Sequence, residues 1–505
     1  MRDRTASTQT AATKRLALGL AGGLAILAVC IAVCTLLERL GLPTAVIALA
    51  AMTLVLGTVV VAAFAGRSMT VFAFDLAGQS LPIIANVFAL TTVAMALLWS
   101  SPEPALVGSA VAAGLAVAAV LFGAAWRRSG AATIAEMMGA QARNGDAALT
   151  ISLLALTMCA AAAAAVMALC SEANGWVAQA LGISTRSAAV VSAVVMAAAT
   201  VLGGLQSIST AQLAAAGCAI LAALAAAALW AAGIPSTAGD IPAPRADQVW
   251  LWLAACCGTV AFPALFSRFA SARSGSEARR SGIGAGLLVL ALSVSPLLVP
   301  PARHATAGFF SLGALYTGAA AGVALTAAAL LVFTVARLLV SLRMGLAPGP
   351  HRGEAPASRR LVGTRVLLLL LVALAAATPW LGFGAAKERP GVFAGQALLW
   401  AWAIAAAGGL PALTFRSVRM PVPAGATAAG MAAGLIFAGL HLSGGLLPVV
   451  RYPTAAAGPL GALIGIIVIA GWSIASAMHR AALDPSASAG ERGTRAAQAA
   501  SSSAP

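Results

Sequence analysis

Residues 74–102 read FDLAGQSLPIIANVFALTTVAMALLWSSP. The stretch starts on a polar, glycine- and proline-marked segment (Gly78, Gln79, Ser80, Pro82) and runs into an apolar span that holds Asn86, Thr91 and Thr92. It ends on Trp99, Ser100, Ser101 and Pro102. In lipid every backbone polar group needs an internal partner. A span carrying polar side chains therefore faces protein or a cavity, or uses its Thr and Asn as interhelical glue. Both readings stay open at this point.

Composition sets the frame. The chain has 505 residues, is 61% hydrophobic and 9% charged, and its mean hydropathy is +0.96. That is an integral membrane protein. No polar stretch is long enough to bury a core of its own. The net charge of +16 does not point to nucleic acid, because the basic residues are spread over short loops, the pattern of topology signals. Cys30, Cys34, Cys159, Cys170, Cys218, Cys256 and Cys257 all lie in or beside apolar spans. Their spacing suits small packing residues rather than a metal site or a disulfide framework.

Spans of membrane-crossing length fall near 16–37, 43–65, 81–101, 105–126, 148–170, 187–204, 211–233, 248–267, 282–300, 310–342, 362–381, 392–415, 422–443 and 456–478, about fourteen in all. The first is too long for a typical signal h-region and lacks a small-residue cleavage site, so it reads as a retained helix. Alternate loops hold 22 of the 30 basic residues, the opposite loops hold 7, and Arg337 lies inside a span. This asymmetry places both termini in the cytoplasm of a multi-pass bacterial inner-membrane protein. The linker 344–360 and the tail 481–505 are rich in Pro, Gly, Ser, Ala and charge, and read as disordered.

No enzyme constellation emerges. The 14 acidic residues lie in loops or at span ends, with Glu172 closest to the bilayer, and His304, His351, His441 and His479 are scattered. There is no metal spacing, no paired-carboxylate site and no nucleophile motif, so no enzyme activity, metal or cofactor is expected. Proton-driven carriers usually keep an acid or His in the membrane, and that route is poorly supplied. Residues 258–281, GTVAFPALFSRFASARSGSEARRS, are more informative. Gly258 and Pro263 weaken a helix in mid-span, and Arg268 and Phe269 mark a cytoplasmic exit.

The wording of these stretches resembles the sodium/solute symporter family, which includes acetate, proline, pantothenate and sugar permeases. Phe74, Leu76, Ala77, Gly78, Ser80, Leu81, Pro82 and Asn86 follow its F-x-L-A-G-x-S-L-P-x-x-x-N lead into core helix one. Gly258, Thr259, Pro263, Arg268, Phe269, Ala278, Arg279, Arg280 and Ser281 follow its G-T-x-G-x-P-H-x-x-x-R-F and A-R-R-S pattern; Ala261 and Ala264 depart from the Gly and His. Gly203, Gly204 and Gln212 resemble its turn between core helices four and five. Ala403, Ile404, Ala405, Ala406, Pro411, Gly425 and Ala426 resemble a fourth motif.

The resemblance implies an all-α integral membrane protein of about 14 transmembrane helices with a leucine-transporter-like 5+5 inverted repeat core. It divides the chain into a cytoplasmic N-terminus with two leading helices (1–79), repeat one (80–233), repeat two (247–416), two trailing helices (421–480) and the tail (481–505). Substrate-cavity candidates are Asn86, Trp99, Gly258, Thr259 and Pro263. No glycine marks a helix break within 81–101. Trp99 suits an apolar, flat or cationic partner, or is a packing tryptophan. The family's cation site maps to the carbonyls of Thr92 and Met95 and to hydroxyl positions at Val335 and Ala336, which carry none. Sodium is the coupling ion implied, yet two oxygen ligands are missing. The adjacent Arg337 either snorkels to headgroups or serves as a tethered cation bonded to the carbonyls of Thr92 and Met95. The function implied is secondary transport of a small organic solute, closest in wording to the monocarboxylate branch. The alternative is a transport-deficient membrane sensor or scaffold. The partners are the solute and the lipid bilayer; the oligomeric state is not legible.

Overall fold

A computed structural model describes residues 28–231, 246–294, 310–343, 357–379, 390–417, 422–443 and 453–483, with short breaks at 69, 80, 102, 130, 132, 135, 137–145 and 424. The N-terminal head, the start of the first span, most of the linker 344–360 and the tail from 484 lie outside these residues. In chain order the helices are α1 (28–39), α2 (Thr44–Ala65), α3 (Val71–Leu76), α4 (Ile83–Trp99), α5 (Pro104–Ala118), α6 (Ala124–Ser129), α7 (Asp146–Leu181), α8 (Thr185–Val201) and α9 (Gly204–Ala231). They continue with α10 (Ala246–Val260), α11 (Pro263–Ser271), α12 (Gly275–Val294), α13 (Phe310–Arg343), α14 (Ala357–Ala376), α15 (Pro390–Ile404), α16 (Leu410–Ser417), α17 (Ala426–Leu442) and α18 (Ala457–Leu483). Wide π-turns at Ala119–Gly123 and Ala405–Gly409 join α5 to α6 and α15 to α16. The described residues contain no named strand, only an isolated bridge between Leu81 and Ala272.

Helix starts follow local chemistry. Pro104 and Pro263 occupy first-turn positions, where a missing N–H costs nothing. Ser184 caps α8 by accepting from the Ser187 N–H at 3.2 Å. Seven described helices are long and apolar enough to cross a membrane, eight if α10 and α11 form one span. Ile83–Trp99, Thr185–Val201, Leu361–Ala376 and Ala426–Leu442 are shorter apolar helices. Val61, Ile84, Leu149, Val194, Leu370 and Ile467 lie exposed on outward faces, surface that suits lipid rather than water. The chain is an all-α membrane protein.

Several boundaries differ from the sequence reading. The stretch 203–212 is not a turn. Only 202–203 turns; α9 begins at Gly204. Gly204 has φ +55 and its backbone presses on Phe74, so a side chain is excluded there. α14 starts at Ala357, which makes residues 357–360 helical rather than disordered, and ends at Ala376, three residues before Pro379. Residues 481–483 likewise continue α18.

α7 and α13 pack against each other at the centre, as do α5 with α12 and α8 with α14. The contacts come in matched sets: α5 packs on α10 as α12 packs on α4, α9 on α13 as α15 on α7, and α9 on α4 as α15 on α10. α2 runs along α13 and α9, with Gly318 and Gly322 facing Val55 and Val59, a small-residue contact that lets helices approach. α17 and α18 pack on each other and on the second π-turn.

Among the described residues, two arginines tie neighbouring segments together. Arg365 Nη2 donates to the carbonyls of Ser68 (3.2 Å) and Leu202 (3.4 Å). Arg127 Nε donates to the Ala272 carbonyl at 2.5 Å.

Candidate functional site

α4 is buried along its inner half, from Ala89 through Trp99. Asn86 and Thr92 bond neighbouring helices, whereas the buried Thr91 Oγ1 and Asn86 Oδ1 have no hydrogen-bond partner among the described residues. Asn86 is fully buried and its Nδ2 donates to the Arg268 carbonyl (3.1 Å) and to Ser281 Oγ (3.0 Å). It therefore ties α4 to α11 and α12 instead of facing a cavity. Thr92 Oγ1 is shared between the carbonyls of Phe88 (2.8 Å) and Gln212 (3.2 Å).

Gln212 is the junction. Its Nε2 donates to the Thr326 carbonyl on α13 at 3.3 Å, and its Oε1 accepts from Arg268 Nη2. Arg268 Nη1 donates to Ser209 Oγ at 2.6 Å. Arg268 is fully buried, so it does not mark an exit to the headgroups. The reason is geometric: α11 bends 42° away from α10 and stays under α6, α12 and α13. No carboxylate is among Arg268's described partners. Its charge is held by neutral oxygen acceptors alone, a costly arrangement in a low-dielectric interior.

Three contacts fix how α4 and the segment before it lie along α13. Phe74 packs on Phe333 with ring centroids 5.8 Å apart, Thr92 reaches Thr326 through Gln212, and Trp99 meets Tyr316 edge-on at 5.6 Å. The proposed cation positions are thereby split. Thr92 is linked to Thr326 through Gln212, whereas Val335, Ala336 and Arg337 lie nine to eleven residues on, about 14–17 Å along the helix, with Arg337 beside Asp75. α4 is also unbroken, so the carbonyls of Thr92 and Met95 belong to its helical ladder. The hydroxyl at the right level is that of Thr326, which already donates to Gly322 (2.8 Å) and Val323 (3.2 Å). As arranged, this set of oxygens does not fit a sodium ion, which needs several free ligands.

Arg337 neither snorkels nor bonds those carbonyls. It is 5% exposed, and its Nη1 lies 2.5 Å from Asp75 Oδ2 and its Nη2 3.6 Å from Glu136 Oε1. With Thr133, Pro263, Ser267, Phe333 and Thr334 it lines a cavity with room for about one water. Of the residues singled out from sequence, this cavity brings together Pro263 and Arg337. Trp99 is buried against Tyr316. Gly258 is pressed on Trp402 of α15, where a Cβ would meet the Trp402 Cα at 2.7 Å. Thr259 packs on Gly114 of α5. The helix break does form, at Ala261 and Phe262, between α10 and α11.

Asp75, Glu136, Ser209 and Thr326 were missed by sequence reasoning. A signal existed for the acids. An arginine inside a span needs a counter-ion, and the basic loops between spans contain few carboxylates, Asp75 and Glu136 among them.

No protein-family model and no curated protein matches the chain. Solved structures do. A Na+-coupled sialic acid symporter, in a substrate-bound outward-open state, superposes with a TM-score of 0.62 at 14% identity, over 86% of this chain and 97% of that one. The chain shares that protein's fold. A manganese transporter of Eremococcus coleocola matches with a TM-score of 0.40 at 13% identity, over 76% of this chain and 85% of that one.

Proposed function

We propose that the chain is a secondary transporter of a small organic solute, of the sodium/solute symporter type. The observation that carries this reading is the bent pair α10–α11. Its break at Ala261–Phe262 lies inside the bundle, packed on α15 and beside the second π-turn. Irregular backbone at membrane depth is tolerated where it is enclosed by protein or lines a pathway. The fold likeness to a symporter supports the same reading.

The matched contact sets support two inverted repeats over 80–233 and 247–416. Under the exchange of repeats, α4 becomes α10–α11, α5 becomes α12, α7 becomes α13, α8 becomes α14 and α9 becomes α15. The pairs α7–α13, α5–α12 and α8–α14 then map onto themselves, and the members of each of the three matched sets exchange. The asymmetry of basic residues between alternate loops supports fourteen crossings with both termini in the cytoplasm. The cytoplasmic end is the inner mouth, closed by residues 74–82, α11 and the last turns of α13.

Asn86, Gln212 and Arg268 hold the closed core together, while Gly258, Thr259, Pro263 and Trp99 line the path that opens when α10 and α11 separate from α15 and α5. The test is uptake of short-chain carboxylates, amino acids and nucleobases into liposomes reconstituted with the protein. Saturable uptake of at least one class is expected. Rates equal to empty liposomes for all of them would refute transport of these solutes.

A further inference from the structure

We propose that the seam between the π-turn at Ala119–Gly123, α6 and the first half of α12 binds an anionic phospholipid, its phosphate held by Arg128, Arg279 and Arg280. The inference goes beyond the transporter reading and does not depend on it.

Residues 124–129 and 272–281, AAWRRS and ARSGSEARRS, hold five arginines and one acid, Glu277. Packing lays the two stretches side by side. A Cβ added at Gly275 would meet Ala124 at 3.3 Å, and one added at Gly123 would meet the Arg279 backbone N at 3.4 Å. Arg127 is used inside the protein, on the carbonyls of Ala272 and Arg273. Arg128, Arg279 and Arg280 are exposed. Arg128 Nε donates to the Ala124 carbonyl of its own helix at 3.2 Å, and Arg279 Nη2 donates to the Val120 carbonyl of the π-turn at 3.4 Å. A guanidinium has five N–H donors, so most of theirs are left for a partner outside the bundle. Among the described residues no carboxylate pairs with any of the three.

Two helical turns further into the spans, the same seam becomes apolar. Val117, Val120 and Leu121, on α5 and the π-turn, are exposed, as are Leu287 and Leu290 on α12. Arg280, Leu287 and Leu290 are spaced by seven and three residues and so share one stripe of α12. Acyl chains suit such a stripe and water does not.

A cationic cap over an apolar strip, on two adjoining helices, matches the layout of a phospholipid. A basic patch alone would fit any polyanion; the strip selects a lipid. A zwitterionic headgroup brings its own cation, which the arginines repel, so the net anionic kind is favoured. The lipid sits on a joint. Arg127 ties the corner between α11 and α12 to α6, and a phosphate shared by Arg128 and Arg280 braces that corner from outside.

The test titrates the full chain in detergent with phosphatidylglycerol and, separately, with phosphatidylcholine, and counts bound lipids by native mass spectrometry. The wild type should bind its first phosphatidylglycerol at least about tenfold more tightly, the size expected when several arginines meet one headgroup. Arg128→Gln/Arg280→Gln should bring the two lipids within about threefold of each other. Neither side chain makes a described bond to another helix, and an unchanged unfolding midpoint in lipid-free detergent checks that the fold is intact. Arg128→Lys/Arg280→Lys keeps the charges and should keep the preference. Arg39→Gln/Arg186→Gln removes two exposed charges elsewhere and should leave it at the wild-type value. Equal affinity of the wild type for both lipids would overturn the site. So would an equal loss in the two Gln pairs, which would make the preference one of net charge. Displacement of phosphatidylglycerol by free glycerol phosphate would also overturn it, by marking a site for soluble phosphates.

Discussion

The Asn86 side chain on α4 donates to the backbone carbonyl of Arg268 on α11 across 3.1 Å, 182 positions apart in the chain. The same nitrogen reaches Ser281 on α12. One amide therefore joins three helices. Asn86→Ala removes one of two donors to the Arg268 carbonyl, Ser271 Oγ being the other at 2.9 Å, and leaves the buried Ser281 hydroxyl without the Asn86 donor. The expected loss is about 1–3 kcal/mol, read as a lower unfolding midpoint in detergent. A midpoint equal to wild type would show that the amide is dispensable.

Arg268 serves two acceptors, Ser209 Oγ and Gln212 Oε1, with two arms of a planar fork. Lysine keeps the charge but has neither the fork nor the reach. Arg268→Lys is expected to lose about 1.5–3 kcal/mol, more than Asn86→Ser in the same assay. Full stability of Arg268→Lys would mean that charge alone matters at this junction.

Two glycines separate close approach from helix propensity. At Gly258 an added Cβ would meet Trp402 atoms at 2.6–2.7 Å, including its backbone Cα. At Gly217, within α9, it would meet nothing within 4 Å. Gly258→Ala should destabilise by about 1–3 kcal/mol, and Gly217→Ala should be neutral or stabilising by up to about 1 kcal/mol. Equal effects would place the α10–α15 contact elsewhere.

The proposed orientation, with both termini in the cytoplasm, rests on the basic loops. Side-reporting tags fused at residue 1 and residue 505 should give the same, cytoplasmic, answer. Opposite answers would remove one crossing and with it the pairing of the repeats.

Much of this was legible in the sequence because lipid imposes strong patterns. Length and hydropathy locate helices, and the Gly258–Pro263 stretch located the break. What was not legible is which residues on long helices face each other. α13 has 34 residues, and nothing within it fixes its register against α4. Val335 and Ala336 were mapped opposite Thr92 and Met95; in the folded chain they lie nine and ten residues along α13 from Thr326, the residue that Gln212 links to Thr92. Arg337 was read as snorkelling or as a tethered cation; its ion pair with Asp75, more than 250 positions away, is made only by the packed bundle.

Sodium dependence bears on the same junction. The hydroxyls of Thr92 and Thr326 are bonded within the protein, and the fixed charge of Arg268 on Gln212 disfavours a second cation beside it. Uptake is therefore expected to be unchanged by a sodium gradient. Arg337→Ala, which removes the cation beside Asp75, should lose uptake although it still inserts.

The most direct measurement is solute uptake by liposomes containing the wild-type chain, run side by side with and without an inward sodium gradient. The account predicts saturable uptake of at least one small organic solute, at equal rates in both. Absence of uptake for every solute in the panel would contradict the assignment as a transporter, and sodium-stimulated uptake would contradict the reading of the Thr92–Gln212–Thr326 junction.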